Sequence, residues 1–252
     1  MRIAVCESAP EMMPGDDAWM RLSSEVGKTN CDLFLLNEMP FGPWVAGSPE
    51  PNDIVLKTSR DTHQAAFKIL GELGTDTILG THPVQQSGAT VNEAYIWHNG
   101  HMNALHTKQY FPEEEGYYEA SWFRPGTSHF RLGEAAGLQI GFLICTEVMF
   151  NEWARFYGRA GAHIIAVPRA VGASSLHRWK TALSMAPIVS GCYVISSNRG
   201  GTDRHGQVFG GSGWIFNPDG DCIAETSPSA PVVSAEIDRD LVTRAQQGYP
   251  CY

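Results

Sequence analysis

The sequence predicts an α/β fold, a mixed sheet with helices outside it, on three observations. Apolar runs short enough to be buried strands alternate with stretches of helical spacing. The alternation occurs in both halves of the chain. It gives way to hairpin signals, Asn99-Gly100 and Asn217-Pro218-Asp219-Gly220.

In chain order, Arg2–Cys6 reads as a strand and Asp16–Lys28 as a helix with Trp19, Leu22 and Val26 on one face. Asp32–Leu36 is a short apolar strand. A Pro- and Gly-rich loop from Pro40 to Pro51 precedes a helix expected over Asp61–Leu73, where Ala65, Ile69 and Leu73 recur at helical spacing. Thr77–Thr81, Val91–His98 and His101–His106 are expected strands, the last two joined at Asn99-Gly100. In the second half, Leu138–Ile144, His163–Pro168 and Cys192–Ser197 are strands. They enclose helices at Phe150–Ala160, closed by Gly161, and at Leu176–Ser190. Val208–Phe216 alternates as a strand, and strands follow near Cys222–Glu225 and Val232–Ile237.

The 252 residues, 43% of them hydrophobic, are enough to bury a large core, and one domain spanning 1–252 is expected. Eighteen Lys and Arg against 27 Asp and Glu give a formal charge of −9, with no basic run, which excludes nucleic acid as an expected partner. No stretch reaches the ~18 apolar residues of a membrane span. No basic-then-apolar leader opens the chain, so a cytoplasmic protein with reduced thiols is expected. The six cysteines form no Cys-x-x-Cys pair and no His cluster has zinc spacing, so neither a metal nor a cofactor is implied.

Four residues carry candidate chemistry. Cys145 ends an apolar run, and a thiol at a strand-to-helix turn is exposed at a sheet edge beside backbone N–H groups that can hold an oxyanion. Read alone, it is better explained as a small apolar residue closing a core strand. Cys6, Cys31, Cys192 and Cys222 lie in or beside apolar runs and read as structural. Glu38 follows the strand Asp32–Leu36, where desolvation would raise its pKa toward that of a general base; a solvated loop position reads equally well. Lys108 follows His101–His106. Beside a thiol it would favour the thiolate; alone, it is a surface lysine. Glu119 lies among aromatics in Gly116-Tyr-Tyr-Glu and could orient Lys108 or a substrate amine.

Together, in the order Glu38, Lys108, Glu119, Cys145, these residues sit on Leu-Leu-Asn-Glu-Met-Pro (35–40), His-Thr-Lys-Gln-Tyr-Phe-Pro (106–112), Gly-Tyr-Tyr-Glu with Pro125-Gly126, and Ile-Cys-Thr-Glu (144–147). With His163-Ile-Ile-Ala-Val-Pro168, Ser197-Asn-Arg-Gly-Gly and Gly210-Gly-Ser-Gly-Trp, the chain resembles the nitrilase-like carbon–nitrogen hydrolases over nearly its whole length. The resemblance implies a four-layer α-β-β-α sandwich. It also implies thiol hydrolysis of a non-peptide C–N bond, in a small-molecule amide or N-carbamoyl compound, through a thioester with release of ammonia or an amine. Glu38 would be the base, Lys108 the stabiliser of the tetrahedral intermediate, Cys145 the nucleophile and Glu119 the support of the lysine or of the base. The Thr146 N–H would complete the oxyanion hole.

Thr146 stands where nitrilases typically carry Trp, which lowers a nitrile-hydrolysing alternative, and a noncatalytic ligand-binding relative is the other reading. Val148-Met-Phe150 takes the place of an arginine that would hold a substrate carboxylate, and Arg169 is a candidate for that role instead. Tyr118, Trp122, His177 and Trp179 are candidate pocket aromatics. The resemblance also implies a homodimer or larger homo-oligomer, through the aromatic helix bearing Phe150, Trp153, Phe156 and Tyr157 and through the tail after Ile237.

Overall fold

Thirteen strands and six α-helices follow one another in the computed structural model, which describes residues 1–251: β1 (Arg2–Ser8), α1 (Asp17–Thr29), β2 (Leu33–Leu35), α2 (Asp53–Ala66), β3 (Thr77–Gln86), β4 (Ala89–His98), β5 (His101–Thr107), α3 (Glu119–Trp122), β6 (Gly133–Ala135), β7 (Leu138–Phe142), α4 (Asn151–Arg159), β8 (Ile164–Pro168), α5 (Leu176–Ser190), β9 (Tyr193–Thr202), β10 (Val208–Gly210), β11 (Trp214–Phe216), β12 (Cys222–Glu225), β13 (Val232–Glu236) and α6 (Arg239–Gln247). The strands join in the order β5-β4-β3-β2-β1-β9-β8-β7-β6.

The sheet is two half-sheets meeting at a short seam. On the edge of β1 away from β2, β13 pairs antiparallel with Arg2–Cys6, and β9 pairs parallel only with Glu7 and Ser8. On β9, β11 pairs antiparallel with Val194–Ser196. The halves therefore touch at the C-terminal ends of β1 and β9, while β13 and β11 line the separated edges.

Alternation then sorts the side chains into layers. Ile3, Val5, Leu33, Leu35 and Leu79 share one core with Ile140, Phe142, Ile164 and Val194 of the other half. The intervening Ala4, Cys6, Phe34, Leu36 and Ile78 pack outward against Trp19, Leu22 and Val26 of α1. On the far face, Tyr157 of α4 and Leu183 and Ala186 of α5 cover the second half-sheet. Helices, sheet, sheet and helices make the four-layer α-β-β-α sandwich that the resemblance implied.

Local chemistry fixes several boundaries. Asp16 caps α1 by accepting the Trp19 N–H at 2.8 Å. Helix α5 ends at Gly191 with φ +67°, as a left-handed C-terminal residue favours glycine. At Gly158 the helices α4 and α5 cross so closely that a Cβ would lie 2.1 Å from the Ser190 carbonyl oxygen.

The structure differs from the sequence reading in five places. Helix α2 starts at Asp53, capped by Asn52, and only a 3₁₀ turn occupies Leu70–Leu73. Its buried face is Leu56, Ser59, His63 and Ala66, half of it polar, so hydropathy pointed to the wrong stretch and to the exposed Ala65. Strand β3 continues through Pro83 to a second hairpin turn at Ser87-Gly88. Val208–Phe216 is two strands, because Gly210-Gly211-Ser212-Gly213 step past Glu7, which accepts the Ser212 N–H. The tail after Ile237 carries α6, which buries only Val242 and so has no apolar stripe to read. Cys222 is exposed rather than part of a core. No helix among the described residues is long and apolar enough to cross a membrane.

Candidate active site

Strands β2, β3, β7, β8 and β9 run parallel, and the antiparallel meander β3-β4-β5 turns β5 back to the same direction. The C-terminal ends of β2, β5, β7 and β8 therefore reach one edge of the sandwich, the usual place for a site in such sheets. Glu38 follows β2, Lys108 follows β5, Cys145 follows β7 and Arg169-Ala170 follow β8. Glu119 opens α3 on the loop after Lys108.

Lys108 is wholly buried, and its ammonium donates to Glu38 Oε1 at 2.7 Å and to Glu119 Oε2 at 2.6 Å. An ammonium has three donors, so one remains. Burial alone would lower the lysine's pKa, but the carboxylates of Glu119 and Glu38 outweigh it and hold the group well above its ordinary value. Glu119 moves the other way from an ordinary carboxyl. Desolvation raises it, and the nearby Glu38 adds to the rise against the pull of Lys108.

Glu38 is fully buried at the end of a strand, a costly place for a charge. Its Oε1 also accepts the Asn92 side-chain amide at 2.8 Å, and Asn92 in turn accepts the Lys108 backbone N–H. The other carboxylate oxygen, Oε2, is buried with no hydrogen-bond partner. The turn behind it is held by Thr81, whose hydroxyl accepts the Met39 N–H, and by the buried Arg199, which donates to the carbonyls of Pro10, Met39 and Gly42.

Cys145 is 3% exposed and adopts φ +50°, a left-handed conformation unusual for a side chain with a Cβ. Such strain marks positions that the surrounding structure dictates. Burial pushes its thiol well above the ordinary value, the charge of Glu38 adds to the rise, and Lys108 opposes it. The thiol therefore keeps its proton at rest. The Ala170 backbone N–H donates to Cys145.

Beside the thiol lies a cavity of about 40 Å3, walled by Pro112, Tyr117, Thr146, Ala170, Val171 and Trp179 among others. Glu114 and Glu119 are its only charged lining residues. Thr146 anchors its own turn by donating its hydroxyl to the Tyr110 carbonyl.

The four residues Glu38, Lys108, Glu119 and Cys145 are thus brought into one buried cluster, with Thr146 at the cavity wall. The other candidates lie elsewhere. Tyr117, not Tyr118, lines the cavity: two adjacent tyrosines point apart, and the Tyr118 N–H is tied to the Ala46 carbonyl. Trp122 packs in the cluster of Met39, Trp44 and Leu56, its indole donating to the Ser48 carbonyl.

Arg169 is fully buried and does not line the cavity, and its Nη1 is left without a hydrogen-bond partner. Its guanidinium donates to Ser196 Oγ and the Ser212 carbonyl, both at 2.6 Å, and lies 4.4 Å over the Trp214 ring. Burial lowers its pKa to about 9. Trp179 reaches the cavity, whereas His177 is exposed on α5. Sequence reasoning passed over Asn92 and Ala170. A buried asparagine in a strand is the one signal that could have found the first, and nothing marks a backbone N–H donor. No group of three or more His, Cys, Asp or Glu among the described residues could hold a metal.

Similar proteins carry the same architecture. An N-carbamoylputrescine amidase from Arabidopsis thaliana is 28% identical over 160 residues, 58% of this chain and 54% of that protein, so the chain spans about half the length of such curated relatives. The crystal structure of a carbon-nitrogen hydrolase from Helicobacter pylori G27 matches with a TM-score of 0.87 at 21% identity, covering 100% of this chain and 94% of that one. A Glu-to-Gln mutant of an amidase from Nesterenkonia sp. AN1 was solved with the acetamide moiety of fluoroacetamide added covalently at the active-site cysteine. It matches with a TM-score of 0.77 at 17% identity, covering 97% of this chain and 92% of that one. At these identities the solved structures speak for the fold. The family model for carbon-nitrogen hydrolases matches residues 2–247, nearly the whole chain, and the protein belongs to that family.

Proposed function

We propose that the protein is a thiol hydrolase that cleaves an uncharged amide or N-carbamoyl group of a small molecule. The observation that carries this is the unpartnered, buried Oε2 of Glu38, a proton acceptor left free within a cluster that also holds a protonated thiol and a fixed ammonium. Polar groups buried without partners are rare and call for an explanation.

Glu38 takes the Cys145 proton as Sγ attacks the carbonyl carbon, and the carbonyl oxygen becomes an oxyanion. The remaining Lys108 donor and the Thr146 N–H receive that oxyanion. Glu38 then returns the proton to the departing nitrogen, which leaves as ammonia or an amine, and a thioester remains. Water gives a proton to Glu38 and attacks the thioester; collapse expels the thiolate, which recovers its proton. Glu119 holds the Lys108 ammonium in place throughout. The cavity supports the substrate class: it has room for the reacting group, and no Lys or Arg lines it to pair with a substrate carboxylate.

The apolar residues exposed on α4 (Phe156) and α5 (Met185 and Ile188), with Met149 just before α4, support a homodimer, which sedimentation velocity would test. The test of activity is an ammonia-release screen over primary amides, N-carbamoyl amines, N-carbamoyl amino acids and nitriles. Wild type is compared with Cys145→Ala. Turnover of amides or carbamoyl amines by wild type alone is expected. Turnover by both proteins, or by neither, overturns the proposal.

A further inference from the structure

Glu147 lies two residues beyond the nucleophile and is fully buried, yet none of the chemistry above uses it. Its carboxylate is shared among three elements. Oε1 accepts the Gln109 backbone N–H at 2.7 Å. Oε2 accepts the Ile144 backbone N–H at 2.7 Å and faces His106 Nε2 at 2.8 Å.

Those three partners flank the reacting residues. His106 and Gln109 bracket Lys108 on the end of β5, and Ile144 precedes Cys145. Lys108 belongs to one half-sheet and Cys145 to the other, and no backbone ladder joins β5 to β7. One carboxylate therefore bridges the two chain segments that carry the ammonium and the thiol. His106 is itself sequestered: it is fully buried, lies 4.6 Å from the Phe130 ring, and its Nδ1 has no partner. The imidazole is thus a donor directed at Glu147, and Glu147 is left to hold the two backbone N–H groups.

We propose that Glu147 is a positioning residue, whose carboxylate sets the distance between the Lys108 ammonium and the Cys145 thiol by clamping Gln109 and Ile144. This rests on the thiol-hydrolase reading for its consequence in turnover, but not for its consequence in thiol reactivity. Only a carboxylate fits. It accepts from three donors at once, whereas an amide offers one accepting oxygen and an NH2 that would face a donor. Charge-assisted bonds to backbone N–H groups are also the stronger kind. A clamp lost here displaces reacting groups by fractions of an ångström to an ångström, enough for about a hundredfold in rate.

Glu147→Gln is the test, read by three measurements on the folded protein: kcat and KM on an amide that wild type turns over, the rate of Cys145 alkylation by iodoacetamide from pH 6 to 10, and Tm. The expected result is a kcat about a hundredfold lower with KM within about threefold. Alkylation should be several-fold slower across this pH range, because Lys108 no longer sits close enough to favour the thiolate. Glu147→Asp keeps the charge but is too short to span both N–H groups, so it should show the same alkylation defect, and it carries the test where the Gln variant does not fold. A lowered Tm with an unchanged alkylation rate makes Glu147 merely structural and overturns the proposal. Should wild type turn over no amide yet alkylate readily, the hydrolase reading fails while the clamp is still judged by alkylation.

Discussion

His63 offers a prediction whose size follows from its surroundings. It lies 2% exposed on the inner face of α2, with Nδ1 against the Ser59 carbonyl at 2.8 Å and Nε2 accepting the Phe41 N–H at 3.4 Å. With one nitrogen donating and the other accepting, the ring must be neutral. Burial accordingly depresses its pKa from 6.5 to about 3, with the positive charge of Arg199 a lesser cause. Because the folded pKa lies below the unfolded one, the stability it contributes is complete above pH 6.5. It is lost as the pH falls toward 3, since only the unfolded chain takes up the proton. Each pH unit in that window costs about 1.4 kcal/mol, so moving from pH 8 to pH 5 should cost ~2 kcal/mol from this residue. For a chain of this length that is a Tm drop of about 4–8 °C. Acid also protonates carboxylates, so the quantity to measure is a difference. Urea unfolding of wild type and of His63→Gln is followed at pH 8, 6.5 and 5, and the wild-type advantage should shrink by ~2 kcal/mol across the range. An advantage that stays constant with pH would mean that the ring is not held neutral, and the reasoning from its two hydrogen bonds would be wrong.

Glu38→Gln should lower turnover by about 10²–10⁴-fold, since it removes the proposed general base, while Tm stays close to that of wild type; steady-state kinetics and thermal unfolding check the pair of outcomes. Lys108→Met should leave Glu38 and Glu119 buried without their cation, costing about 3–5 kcal/mol in urea unfolding at neutral pH. Part of that loss should return on acidification, because burial raises the Glu119 carboxyl and so favours its protonated form in the folded chain over the unfolded one. Gly158→Ala should cost about 3 kcal/mol or more in the same assay, because the added methyl meets the rigid backbone at Ser190 and the two helices must move apart.

How much of this was legible depended on what each element buries. Helix α5 was readable to its last residue, because Trp179, Leu183 and Ala186 repeat at helical spacing and Gly191 ends it. Helix α1 was readable through its cap and apolar face. Helix α2 was not, since Ser59 and His63 occupy buried positions that hydropathy assigns to solvent. The seam between the half-sheets rests on two residue pairs between β1 and β9, and no periodicity encodes a pairing 190 residues apart. In the site, Glu38, Lys108, Glu119 and Cys145 became candidates only as an ordered set on four short motifs, since singly each reads as an ordinary core or surface residue. Tyr117 and Tyr118 were indistinguishable, since which of two neighbours faces a cavity depends on backbone direction. Arg169 was ambiguous because a guanidinium can pair with a hydroxyl, a carbonyl and an indole face as well as with a ligand. Glu147 stood in plain view within Ile-Cys-Thr-Glu, but its three partners come from segments about 40 residues upstream and from the residue before the nucleophile.

The seam itself has a consequence for how the reaction centre is inherited. Glu38 and Lys108 ride on the half-sheet of β1 to β5, whereas Cys145 and Ala170 ride on the half-sheet of β6 to β9. The C-terminal strand β13 returns to pair with β1, so the first half is completed only by the last strand of the chain. No contiguous fragment owns the complete first half, and neither half owns a complete cluster. The cluster is therefore an all-or-none gauge of docking between the halves. A small slip along β1 and β9 would separate acid from thiol, so in rising denaturant turnover should be lost before the circular dichroism changes.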